Sequence, residues 1–150
     1  MNNDRFKFRV WDNERKCYTS VDPVVLCNDR YTREIAMQDN NDCQYVIEQC
    51  TGLRDKNRRL IYEGDICLLY GRKYEIRWKV GGFGARDYPP CADADGYIFS
   101  DTVPFTNRLY LREDLKEIEV FGTIHDNPEE GRPVTPQGKP LPKGIKLWER

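Results

Sequence analysis

Phe6, Phe8 and Val10 alternate with Lys7, Arg9 and Trp11, a period of two that predicts a half-buried strand near the start of the chain. Asp12-Asn13-Glu14 supplies a turn after it, and Tyr18 begins a return. Val24-Val25-Leu26-Cys27, introduced by Pro23, and Tyr45-Val46-Ile47-Glu48 predict two further short strands. Between them, residues 28–42 are polar and rich in Asn and Asp, and the pattern leaves a loop or one short helix over 33–38 equally open. The alternation sharpens after Ile61. Ile66-Cys67-Leu68-Leu69-Tyr70 is an apolar run suited to a core strand, and Gly71-Arg72 suits a type II′ hairpin turn. Tyr74, Ile76, Trp78 and Val80 then alternate with Lys73, Glu75, Arg77 and Lys79, the strongest strand signal in the chain. Gly81-Gly82-Phe83-Gly84 ends it, and a long loop containing Pro89-Pro90 follows. Residues 97–99, 109–111 and 118–124 complete a set of five short strands, which are best satisfied by closing into a small barrel that hides their edges. Beyond Asp126, prolines at 128, 133, 136, 140 and 142 oppose regular structure. That tail nevertheless ends in the apolar cluster Ile145-Lys146-Leu147-Trp148, which must dock on its own domain or on a neighbouring copy.

Composition narrows the function. The 150 residues carry a formal net charge of −1, unlike the usual basic balance of a dedicated nucleic-acid binder, although a local basic patch remains open. Aromatic residues make up 12% of the chain, which argues against global disorder. The polar N-terminal stretch has no apolar core of a secretory signal, and no apolar run approaches the length of a membrane span. The expectation is a soluble, cytoplasmic protein without a membrane partner. Six cysteines at 17, 27, 43, 50, 67 and 91 contain no Cys-x-x-Cys pair, so in a reducing compartment they read as free thiols, with no metal site expected. His125 is the only histidine.

Four motifs occur in order: Phe8-Arg9-Val10-Trp11-Asp12, Gln49-Cys50-Thr51-Gly52-Leu53 with Arg54-Asp55-Lys56-Asn57, Ile61-Tyr62-Glu63-Gly64-Asp65-Ile66, and Gly122-Thr123-Ile124-His125-Asp126-Asn127-Pro128-Glu129. Together they resemble the YopX-like family of phage and prophage proteins over roughly residues 5 to 130. The resemblance implies a mainly β protein with minor α content. An N-terminal β-rich portion (1–60) would pack on a C-terminal SH3-type small barrel (61–127), leaving a Pro-rich tail (128–150) outside. It also implies a bacterial or integrated-phage setting. The family has no established biochemical activity, so it transfers no catalytic residue and no cofactor. Two positions depart from the family pattern: Cys50 stands where Tyr or Phe is usual, and Arg58 where Gly follows Asp-Lys-Asn. A tight turn at that point favours a left-handed residue, and Asn57 is expected to take that role.

The candidate chemistry is sparse. Gly64 permits a bend that Asp65 can fix by accepting a backbone N–H, a structural reading preferred to a Glu63/Asp65 acid–base pair. Thr51 or Asp55 can cap the preceding turn. Gly81-Gly82-Phe83-Gly84 lacks the Gly-Lys-Ser/Thr ending of a phosphate loop, and Asp93-Ala94-Asp95-Gly96 has its glycine too early for a calcium loop. The sharpest functional candidate is the cation cluster Arg54, Lys56, Arg58 and Arg59, which could hold a phosphate backbone while Tyr70, Tyr74 and Trp78 stack bases. A solvated, charge-compensated turn is the competing reading. The leading functional expectation is a non-enzymatic accessory protein that binds another macromolecule or self-assembles into a homo-oligomer. The alternatives are a nucleic-acid-binding module and, more remotely, an unrecognised enzyme or metal protein.

Overall fold

Alternating apolar positions become two separate antiparallel sheets in the computed structural model, which describes residues 3–21, 44–79, 81–105 and 112–149. The chain divides into two compact units, Met1–Leu53 and Arg54–Arg150. It is mainly β, as the alternation predicts. The strands expected at 24–27 and 109–111, the segment 28–42 and Val80 lie outside the described residues.

In the first unit, β1 (Phe8–Asp12) pairs with β2 (Cys17–Thr19) on one side and β3 (Tyr45–Arg54) on the other. The β1–β2 turn forms because Asp12 Oδ1 accepts the amides of Glu14 and Arg15, while Lys16 takes a left-handed φ of 54°. Register then sets Arg9 opposite Glu48 and Trp11 opposite Tyr18. Glu48 is only 2% exposed, and its Oε2 accepts Arg9 Nε at 2.6 Å and the Tyr18 hydroxyl at 3.0 Å. The Arg9 guanidinium also lies 4.7 Å from the Tyr18 ring centre. The two contacts to Glu48 offset part of the cost of burying a polar carboxyl group there. Cys50, which stands where the family pattern usually has Tyr or Phe, is fully buried in this unit.

The second unit contains β4 (Leu60–Tyr62), β5 (Asp65–Leu69), β6 (Arg72–Lys79), β7 (Gly82–Asp87), β8 (Val103–Pro104), the short helix α1 (Arg112–Glu117) and β9 (Glu119–Thr123). Its main sheet has the order β8-β7-β6-β5-β9, antiparallel throughout. Ile66, Cys67, Ile76, Ala85, Ile118 and Val120 are all under 9% exposed and supply its core. The β5–β6 hairpin differs from the expected one. Tyr70 and Gly71 are its two loop residues, both with positive φ (50° and 77°), and Leu69 pairs with Arg72. That is a type I′ turn, whose twist matches the flanking strands.

Two strands of the sheet also differ from expectation. Gly81-Gly82-Phe83-Gly84 reads as the end of the β6 strand with a long loop after it, yet residues 82–87 are extended and paired. They form β7 because β6 offers a full edge for pairing and because Gly84 leaves room for β8. A Cβ at Gly84 would stand 2.5 Å from the Val103 carbonyl oxygen. Tyr97-Ile98-Phe99 joins no sheet. Tyr97 and Ile98 instead make isolated bridges to Trp148 and Ala92.

The proline-bearing tail docks on this same unit. Ala92 N donates to Val134 O at 2.8 Å and Val134 N donates to Pro90 O at 2.9 Å. Ile98 N then donates to Trp148 O at 2.8 Å, and Trp148 N donates to Gly96 O at 3.1 Å.

Candidate functional site

Asp55 organises the basic turn. It is 5% exposed, and its Oδ1 accepts the amides of Asn57 (2.9 Å) and Arg59 (2.8 Å), while Oδ2 accepts that of Val120 (3.0 Å). Asp55 N donates to Arg59 O, and Lys56 N donates to Ile118 O, so the turn is tied to its own base and to the start of β9. This confirms Asp55 as a turn-capping residue. The left-handed residue is not Asn57, as the sequence suggested, but Arg58 itself, with φ 67°. Asn57 and Arg59 are both held through their amides by Asp55 Oδ1, which leaves the reversal to the residue between them.

Arg54, Lys56, Arg58 and Arg59 are all exposed on this turn, but two are engaged within the protein. Arg54 Nη1 donates to Arg58 O at 2.9 Å, and Lys56 Nζ lies 2.7 Å from Glu119 Oε2. The hydrogen bond from Lys56, followed by its charge, holds Glu119 below the usual carboxylate value, and the same bond raises the pKa of Lys56. The aromatic candidates lie elsewhere. Tyr70 sits at the β5–β6 hairpin tip, 70% exposed, with its hydroxyl donating to Asp114 Oδ1 at 2.7 Å. Tyr74 and Trp78 share one face of β6. Trp78 is half exposed and meets Phe83 edge to face at 4.7 Å. The turn abuts β9 at one edge of the sheet, and β6 is two strands further in, about 10 Å away at ordinary strand spacing. The four cations on the turn and the aromatic residues on β6 and its hairpin therefore do not converge on one point.

The other motif acids also fix turns. Asp65 is 1% exposed, and its Oδ2 accepts Tyr62 N at 2.8 Å, with Gly64 at φ 81°. Asp126 Oδ2 accepts Thr123 N at 2.8 Å, and Asp93 Oδ1 accepts the amides of Asp95 and Tyr97. Among the described residues no group of His, Cys, Asp and Glu gathers as a metal site.

Sequence reasoning missed a charged cluster on the opposite face of β6. Glu75 pairs in register with Arg86, whose Nη2 donates to Glu75 Oε2 at 2.7 Å. Arg77 donates through Nη1 (3.3 Å) and Nη2 (3.0 Å) to Glu149, and Arg86 Nη1 donates to the same carboxylate at 3.1 Å. The side chain of Arg86 is 9% exposed, and its Nε is buried without a hydrogen-bond partner. Hydrogen bonding from Arg77 depresses the Glu149 pKa against an opposing burial effect. Burial works against the charge on Arg77, and Glu149, Glu75 and Glu63 more than restore it. The strand alternation marked Glu75 and Arg77 only as a polar face. Glu149 lies 72 residues from Arg77, and nothing local links them.

The family model described as YopX protein matches residues 7–130. No curated protein matches the sequence. Among solved structures, the chain is similar to protein EF1440 from Enterococcus faecalis, with 26% identity and a TM-score of 0.48, covering 83% of this chain and 96% of that one.

Proposed function

Since the chain belongs to the YopX protein family, we propose that it is a non-enzymatic, phage- or prophage-derived accessory protein of the cytoplasm that acts by binding another macromolecule or by self-assembly. The observation that carries this reading is the set of large aromatic side chains on the surface of the second unit: Tyr70, Trp78 and Phe121 are 70%, 50% and 59% exposed. Trp and Tyr with neighbouring cations are the residue types that anchor protein interfaces, and Lys73 Nζ lies 4.7 Å from the Phe121 ring centre. Size-exclusion chromatography with light scattering tests assembly, and recovery of bound macromolecules from the native host tests partner binding. Trp78→Ala is expected to reduce whichever is observed. A monomer at high concentration with nothing recovered refutes the proposal.

A second reading is favoured by one specific feature: Arg58 and Arg59 project exposed cations from a turn whose backbone Asp55 holds in place. In that reading Arg54, Lys56, Arg58 and Arg59 contact phosphates while Tyr70, Tyr74 and Trp78 offer stacking faces. Counting Arg58 and Arg59 beside the engaged Arg54 and Lys56, single-strand binding should fall with a log–log salt slope of about −1.4. No gel shift of labelled DNA or RNA at low salt eliminates it.

A further inference from the structure

The segment Ile145–Glu149 is bound like a peptide ligand. Trp148 is bracketed by two backbone hydrogen bonds to Gly96 and Ile98, the pattern by which an extended peptide adds to a strand edge. Its ring lies 4.4 Å from that of Tyr97. Gly96 has φ 87°, and a Cβ there would collide with the Lys146 carbonyl oxygen, so the backbone approach depends on glycine. The next residue places its carboxylate between Arg77 and Arg86.

Yet this occupant is only partly covered. Leu147 and Trp148 remain 44% and 53% exposed, and the segment follows Pro142 and Gly144 (φ 89°) on a leash whose upstream anchor is Val134. When Glu149 leaves, the buried Arg86 retains its hydrogen bond to Glu75, and Arg77 retains the nearby charges of Glu75 and Glu63 but loses the carboxylate it donates to. The Arg77 and Arg86 donors that Glu149 vacates are then left without their carboxylate, so the opened site favours an anion. The unpartnered Arg86 Nε shows that the donors outnumber what the present occupant satisfies.

We propose that Gly96–Ile98 together with Arg77 and Arg86 forms a receptor groove for an extended peptide of a partner protein, carrying an aromatic residue followed by an acid, and that Ile145–Glu149 closes it in cis. This deepens the macromolecule-binding reading and rests on it. A second copy is the weaker occupant. Its identical segment must leave its own groove as well as displace a tethered one whose effective concentration is about millimolar, whereas a partner's peptide meets only the second cost.

The test is fluorescence anisotropy with a labelled, end-blocked peptide Gly-Ile-Lys-Leu-Trp-Glu and its counterpart ending in Gln. Both are titrated with the full chain and with the full-chain double variant Trp148→Ala/Glu149→Gln. The double variant is expected to bind the Glu peptide at least tenfold more tightly than the unaltered chain does and to bind the Gln peptide at least tenfold less tightly than the Glu peptide. Adding Arg77→Gln should abolish binding. Because the Gln peptide changes no protein residue, selectivity is readable even where a protein variant folds poorly. No saturable binding by the opened chain, or equal binding of the two peptides, overturns the groove. A dimer of the unaltered chain that is abolished by Glu149→Gln overturns the partner assignment in favour of a second copy. Recovery of macromolecules by the unaltered protein is a separate measurement, so failure of the groove and failure of the broader reading are distinguishable.

Discussion

Replacing Asp55 by Asn is the most informative single change in this protein. The carboxylate is buried and accepts three amide hydrogens, from Asn57, Arg59 and Val120. Asparagine preserves shape but exchanges one acceptor oxygen for an NH₂, so one face of the side chain then presents a donor to a donor. If the remaining oxygen serves the turn, the NH₂ faces Val120 N, a buried amide that cannot turn to water. Leaving such a group unsatisfied costs about 1–3 kcal/mol, and each bond to a charged acceptor contributes about 1.5–3 kcal/mol. The Asn57 and Arg59 amides lie in an exposed turn and regain water, so their loss counts at the low end. The expected total is about 3 kcal/mol for Asp55→Asn and about 4 kcal/mol for Asp55→Ala, following these per-bond values. For a chain of this length that corresponds to a fall in Tm of about 6–12 °C for the Asn variant. Urea unfolding followed by tryptophan fluorescence measures the loss, and amide hydrogen exchange should show Arg59 and Val120 losing protection together. A change below about 0.5 kcal/mol, the usual range for a solvated surface site, would refute the assignment of Asp55 as the residue that shapes the turn.

Arg58→Gly should stabilise the protein by about 0.5–1 kcal/mol, because about 1–2 kcal/mol of left-handed strain is relieved against the greater unfolded freedom of glycine. A lower urea midpoint would contradict this. Gly84→Ala should destabilise by about 1–3 kcal/mol, since the added methyl meets the Val103 backbone rather than a yielding side chain, and thermal unfolding would show it. Docking of the tail should depend on pH. The folded pKa of Glu149 lies below its ordinary 4.5, so the contribution of this group is fully present above that value and is lost as pH falls through the depressed one. The indole resonance of Trp148 should move in that acid window in the unaltered chain and stay still in Glu149→Gln. An acid shift that persists in the variant would place the titration elsewhere.

Local chemistry was readable along the chain wherever a residue acts on its immediate neighbours. Period-two alternation located β1 and β6, a continuous apolar run located β5, and the short reach of Asp12, Asp55 and Asp65 to amides two to four residues away made their turns legible. The choice of Arg58 over Asn57 as the left-handed residue was not legible, because it depends on both flanking amides meeting one buried oxygen. Likewise β7 has little intrinsic strand preference and exists because β6 offers an edge and Gly84 admits β8. The joining of Arg77 and Arg86 to Glu149 is furthest from anything sequence shows. Glu75 and Arg77 look like any solvent-facing strand residues, and Glu149 like any tail acid, until the sheet pairs Glu75 with Arg86 and the returning tail brings Glu149 within 3.3 Å of Arg77. Sequence by itself therefore determined the mainly β class, the turn acids and the family. Only the tertiary structure decided which charges are spent on each other, since an ion pair between distant residues leaves no periodic trace in the chain.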